Sequence, residues 1–150
     1  MINGVLEGDV FYDRPGVAVV AWDQASLAVY IDWRSWADPA EFELLLEAGI
    51  RALAEHRGSR CLADCRNMKA VNPADKELID RNWFPRAHAA GLRRMALVVP
   101  YSGMTRLHIE DMMGQVPGSE LQVAYFGTVE SAVEWLTGSL ALVSGGLDPA

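Results

Sequence analysis

The residues best placed to do chemistry stand in one polar run, LADCRNMKAVN, which holds Asp64, Arg66, Asn67 and Asn72. The run follows a short apolar segment and ends on Asn72-Pro73-Ala74-Asp75, the start signal of a helix. That places it in the crevice beyond a strand's C-terminal end, where α/β proteins bind ligands. An aspartate, an arginine and a capping asparagine there could hold a polar or anionic group. The same residue types also serve as turn formers and as a local ion pair. As a catalytic acid or base Asp64 is poorly suited, because an arginine neighbour favours an ionised carboxylate. No nucleophile–base pair, metal-ligand spacing or glycine-rich phosphate loop accompanies it. The expectation is therefore no catalytic residue, no cofactor and no metal.

The remaining candidates are aromatic and basic. Trp22, Trp33 and Trp36 lie on or just after a predicted hairpin, where they would line an apolar pocket, cover a dimer face or fill the core. Trp83 falls on the buried stripe of the helix that starts at Asn72. Phe84 falls off that stripe, which makes it a candidate second contact surface. Arg81, Arg86, Arg93 and Arg94 form the basic cluster, fit for a phosphate or an acidic partner segment, or simply a solvated face. His56, His88 and His108 sit on predicted helices without carboxylates or cysteines at ligand spacing. Cys61 and Cys65 are four apart on a strand, hence on one face and roughly 13 Å apart, which no disulfide spans. They read as reduced, partly buried thiols.

The elements that must position these groups are legible. Val10–Tyr12, Val17–Trp22 and Leu27–Trp33 read as antiparallel strands, the last two joined across Asp23-Gln24-Ala25-Ser26. Asp38-Pro39-Ala40-Glu41 opens a helix with Phe42, Leu45, Leu46, Gly49, Ile50 and Leu53 on one stripe and Gly58 as its stop. Cys61–Ala63, Met95–Val99 and Leu121–Phe126 read as further strands. Pro85 falls inside the helix that begins at Asn72, so a kink or break is expected there. Met104–Val116 reads as a third helix, with Met104, Met112 and Met113 at core spacing. A fourth starts at Thr128 and stops at Gly138. Strands alternating with helices imply right-handed crossovers. The fold class is α/β: a mixed sheet, antiparallel at its N-terminal side and parallel in its core, covered by about four helices.

The chain's 150 residues suit one domain, with its core at about 8–137 and a tail at 138–150. An apolar fraction of 51% and a charged fraction of 22% are those of a globular protein. Thirteen Lys+Arg against 20 Asp+Glu give −7, which argues against nucleic acid and anionic membranes as partners. No run is long enough to span a bilayer and no secretory signal is visible, so the expected location is the cytoplasm.

Five segments taken together resemble the STAS-like, SpoIIAA-like (STAS/SEC14 domain) family: YIDWRSW, LADCRNM, RNWFPRAHAAG, MALVVP and LQVAYFGTVESAVEWL. They cover about Trp22 to Leu136. The resemblance implies a sheet of four to six strands with helices, often as a dimer. STAS switch proteins carry a phosphorylatable serine at the start of the helix after the segment matching LADCRNM. Here that start is Asn72-Pro73-Ala74-Asp75, without a hydroxyl. The expectation is a non-enzymatic interaction or regulatory module, a homodimer, docking a protein partner through the loop and helix around Asn72. The alternative is a SEC14-type carrier of a small apolar ligand or lipid.

Overall fold

The computed structural model describes residues 9–35, 39–67, 79–99 and 121–138. Six strands form one sheet whose spatial order follows the chain: β1 (Val10–Arg14), β2 (Ala18–Asp23), β3 (Ala28–Trp33), β4 (Arg60–Asp64), β5 (Arg94–Val98) and β6 (Gln122–Phe126). β1, β2 and β3 pair antiparallel, and β3 to β6 run parallel. The mixed sheet expected from the sequence is thus the fold. The described residues hold three helices where about four were expected: α1 (Pro39–His56), α2 (Phe84–Ala89, entered through a π-helical turn at Ile79–Trp83) and α3 (Val129–Leu136). The predicted Met104–Val116 helix and the tail from 139 onward lie outside the described residues.

Period-2 alternation sorts each strand between two layers. One layer packs Val20, Trp22, Ile31, Trp33, Cys61, Ala63, Met95 and Leu97 against Phe42, Leu45, Leu46 and Leu53 of α1 and Phe84 and Ala87 of α2. The other packs Ala28, Tyr30, Leu62, Ala96, Val98 and Phe126 against Ala132, Trp135 and Leu136 of α3. The helices that follow β3 and β4 therefore share a face, as right-handed crossovers between sequential parallel strands require. Each fully buried Leu contributes roughly 1.5–3 kcal/mol of transfer free energy.

Helix boundaries follow local chemistry. Proline opens α1, as its missing N–H predicts. The helix closes one residue before the expected stop. Arg57 takes the left-handed conformation at φ 52. The Gly58 N–H then reaches Leu53 O at 2.9 Å, completing a Schellman turn. Gly58 serves packing instead: a Cβ there would stand 2.6 Å from the Trp22 ring. α2 closes by the same device, with Gly91 at φ 123 and Leu92 N–H on Ala87 O.

The break expected near Pro85 is present as the change from π to α geometry at Trp83–Phe84, with Pro85 in the first turn of α2. Proline offers no N–H to the carbonyl four residues back, and a π turn is one way for a helix to absorb that loss. Trp83 is anchored by its indole N–H, which donates to Leu46 O of α1 at 2.8 Å.

Candidate functional site

The site is built where β3 and β4 end. Asp64 is the last residue of β4, and its side chain is only 6% exposed. A chain turn there lets Arg66 fold back on it. Arg66 Nε donates to Asp64 Oδ1 at 2.9 Å and Nη2 donates to Oδ2 at 2.7 Å. The Arg66 backbone N–H adds a third bond to Oδ1 at 3.2 Å. This is a bidentate, charge-assisted pair over a buried carboxylate, and its hydrogen bonds to Asp64 raise the Arg66 pKa further. Asn67 is exposed in the turn beyond it.

The neighbouring strand repeats the arrangement. Asp32 pairs with Asp64 in the β3–β4 register, so the two carboxylates share a sheet face on strands about 4.8 Å apart. Arg34 Nε donates to Asp32 Oδ2 at 2.9 Å. Each strand thus ends on Asp-x-Arg, with an arginine holding the aspartate two residues before it. Two like charges side by side on adjacent strands would repel; the two guanidinium groups offset that. The sequence reading missed Asp32 and Arg34. The signal was available in the matching triplets of YIDWR and LADCR.

Tyr30 belongs to the same face, two residues before Asp32 and packed in the α3-side layer. It is 2% exposed, and its hydroxyl finds no hydrogen-bond partner among the described residues. Burial pushes its phenol pKa well up, and the negative charges of Asp64 and Asp32 push it further, while Arg66 pulls the other way. The phenol therefore stays protonated and is a donor.

Other sequence candidates separate. Trp33 is 5% exposed and stacks on Phe42 at 5.2 Å, so it belongs to the core and not to a ligand surface. Phe84, expected on a second contact surface, is 2% exposed and packs against Trp83. The reason is that its helix packs on α1 and shares the core layer, so its buried arc is wider than one stripe. Trp36 and Asn72 lie outside the described residues. Arg81 is exposed on the π-helical turn. The basic cluster does not converge: Arg86 pairs with Glu47 of α1, Arg93 donates to His88 O, and Arg94 donates to Trp135 O with its guanidinium 5.3 Å from the indole.

The cysteines are free, as expected, and buried. Burial pushes the Cys61 thiol up to about 12. Burial and then the Asp64 charge push Cys65 further. Neither offers a thiolate for nucleophilic chemistry at neutral pH. A contact invisible in the sequence joins Asp9, Glu55 and His56, whose ligand atoms lie within 4.8 Å of one another. His56 stacks on Trp22 at 4.5 Å and pairs with Asp9 at 3.0 Å. This fixes the end of α1 against β1 and β2.

The fold is thus a mixed α/β sheet with helices on both faces and two Asp-x-Arg units at the ends of its parallel strands β3 and β4. A family model described as SpoIIAA-like matches residues 28–137, and the chain belongs to that family, the STAS-like family its sequence segments resemble. No curated protein matches the chain. Among the described residues no helix is long and apolar enough to cross a membrane.

Proposed function

We propose that this protein is a cytoplasmic, non-enzymatic STAS-type interaction module, a homodimer that docks a protein partner at the ends of β3 and β4. The observation that carries this reading is the Asp64–Arg66 pair. Both carboxylate oxygens accept from one guanidinium, so the best-placed acid at the strand ends is already engaged in a pair. The arginine's side chain as a whole is 45% exposed. A rigid, exposed guanidinium on a buried support is a recognition element. The segment Asn72-Pro73-Ala74-Asp75, predicted from the sequence to start a helix, carries no hydroxyl, so docking does not depend on phosphorylation at that point.

The carrier alternative drew on the tryptophans. Trp22, Trp33 and Trp83 are each engaged in packing, which weakens it. The test is metabolite profiling: purified protein is incubated with a cell extract and compounds are followed by mass spectrometry. The expected result is no compound consumed. Consumption that disappears in Asp64→Asn would overturn the reading.

A further inference from the structure

The two Asp-x-Arg units have a consequence beyond a docking surface in general. Each arginine uses one edge on its aspartate. Arg66 commits Nε and Nη2, and Arg34 commits Nε. A guanidinium carries five donors in a planar fork, so Arg66 keeps Nη1 and Arg34 keeps its terminal nitrogens for another acceptor. Both side chains are about half exposed, at 48% for Arg34 and 45% for Arg66. Their supports are not: Asp32 is 18% and Asp64 6% exposed. Two half-exposed side chains are therefore each held by a more buried carboxylate.

A further donor lies on the same sheet face, beneath the two pairs. The Tyr30 hydroxyl is buried on the same face and has no partner among the described residues. An unpaired buried hydroxyl costs about 1–3 kcal/mol, so native proteins seldom keep one without a use.

The charges decide the ligand. Asp32, Asp64, Arg34 and Arg66 sum to zero. A phosphate dianion needs surplus positive charge that this site lacks. A carboxylate needs two or three well-placed donors, and a guanidinium edge matches its geometry. We propose that Arg34, Arg66 and Tyr30 form a carboxylate-binding site at the C-terminal ends of β3 and β4. This rests on the docking reading above and names the chemistry that the docked partner presents.

The test is a titration followed by two-dimensional amide and arginine Nε–H NMR at constant ionic strength. Acetate, inorganic phosphate and a short glutamate-containing peptide are the probes. The expected result is saturable shifts at Arg34, Arg66 and their neighbours with a carboxylate probe, tighter than with phosphate. Saturation by acetate marks a free small acid as ligand. Saturation by the peptide alone marks a partner's side chain. Arg34→Gln and Arg66→Gln should each weaken binding about tenfold. Arg66→Gln strips a buried carboxylate of its partner, so the fold of each variant is checked by circular dichroism before titration, and Asp64→Asn/Arg66→Gln, which removes both charges, takes its place if it unfolds. Tyr30→Phe should weaken it by a smaller factor while the fold stays intact. Shifts that do not saturate, lie elsewhere or persist unchanged in both arginine variants would overturn the carboxylate site. If a captured protein partner still distinguished wild type from Arg66→Gln in that case, the docking reading would stand alone.

Discussion

Asp32 and Asp64 stand side by side in the register of two parallel strands, and each is held by the arginine two residues after it. The proposed recognition role rests on this repeated unit at the ends of β3 and β4. Parallel pairing aligns two distant triplets, the sheet face sets both carboxylates on one side, and the chain turns bring both guanidinium groups to the surface.

Tyr30→Phe should stabilise the unliganded protein. The change removes a buried hydroxyl that lacks a partner and keeps the ring, so the expected gain is about 1–3 kcal/mol in urea unfolding. A loss of stability would show that the hydroxyl is satisfied in solution.

Leu27 and Arg57 hold positive φ of 53 and 52 without being glycine. Leu27 is also 48% exposed. Leu27→Gly and Arg57→Gly should each raise stability by up to about 1 kcal/mol, because the left-handed conformation costs an L-residue roughly 1–2 kcal/mol and glycine's greater chain entropy returns part of that. Thermal unfolding reads both. A fall in both would mean that their side chains contribute more than the strain costs.

Gly58→Ala should cost about 1–3 kcal/mol. The new Cβ would meet the Trp22 ring at 2.6 Å, and that ring is fixed between the sheet and His56. The indole fluorescence of the variant should shift as Trp22 moves. Unchanged stability and fluorescence would contradict the packing.

The thiols make stability fall on the alkaline side. In the unfolded chain a cysteine ionises from about 9.0, whereas Cys61 keeps its proton in the fold until about 12. Above pH 9 the unfolded state binds fewer protons than the folded one. Stability then drops by up to about 1.4 kcal/mol per pH unit for each thiol. Urea unfolding at pH 7, 9 and 10 should show this, with a shallower slope in Cys61→Ala/Cys65→Ala. A thiol-reactive disulfide reagent should label neither cysteine at pH 8 until the protein is unfolded. Rapid labelling of the folded protein would contradict their burial.

Much of the fold was readable because its signals are local. Asp38-Pro39-Ala40-Glu41 marks the start of α1, alternation marks the strands, and Pro85 marks the break before α2. The Asp64–Arg66 unit was also local and was seen. Asp32 and Arg34 were not, because their relation to Asp64 exists only once β3 and β4 pair in one register. The contact of Asp9 with His56 spans 47 residues and leaves no periodic trace. Phe84 was misassigned because a single stripe describes a helix with one neighbour, and this one meets both α1 and the core layer.

The most direct measurement of the central claim is a paired affinity capture, with wild type and an Arg34→Gln/Arg66→Gln variant shown by circular dichroism to be folded as baits, and quantitative mass spectrometry as readout. The account predicts a defined partner retained by the wild type and reduced about tenfold or more on the variant. Identical protein profiles on the two baits would contradict it.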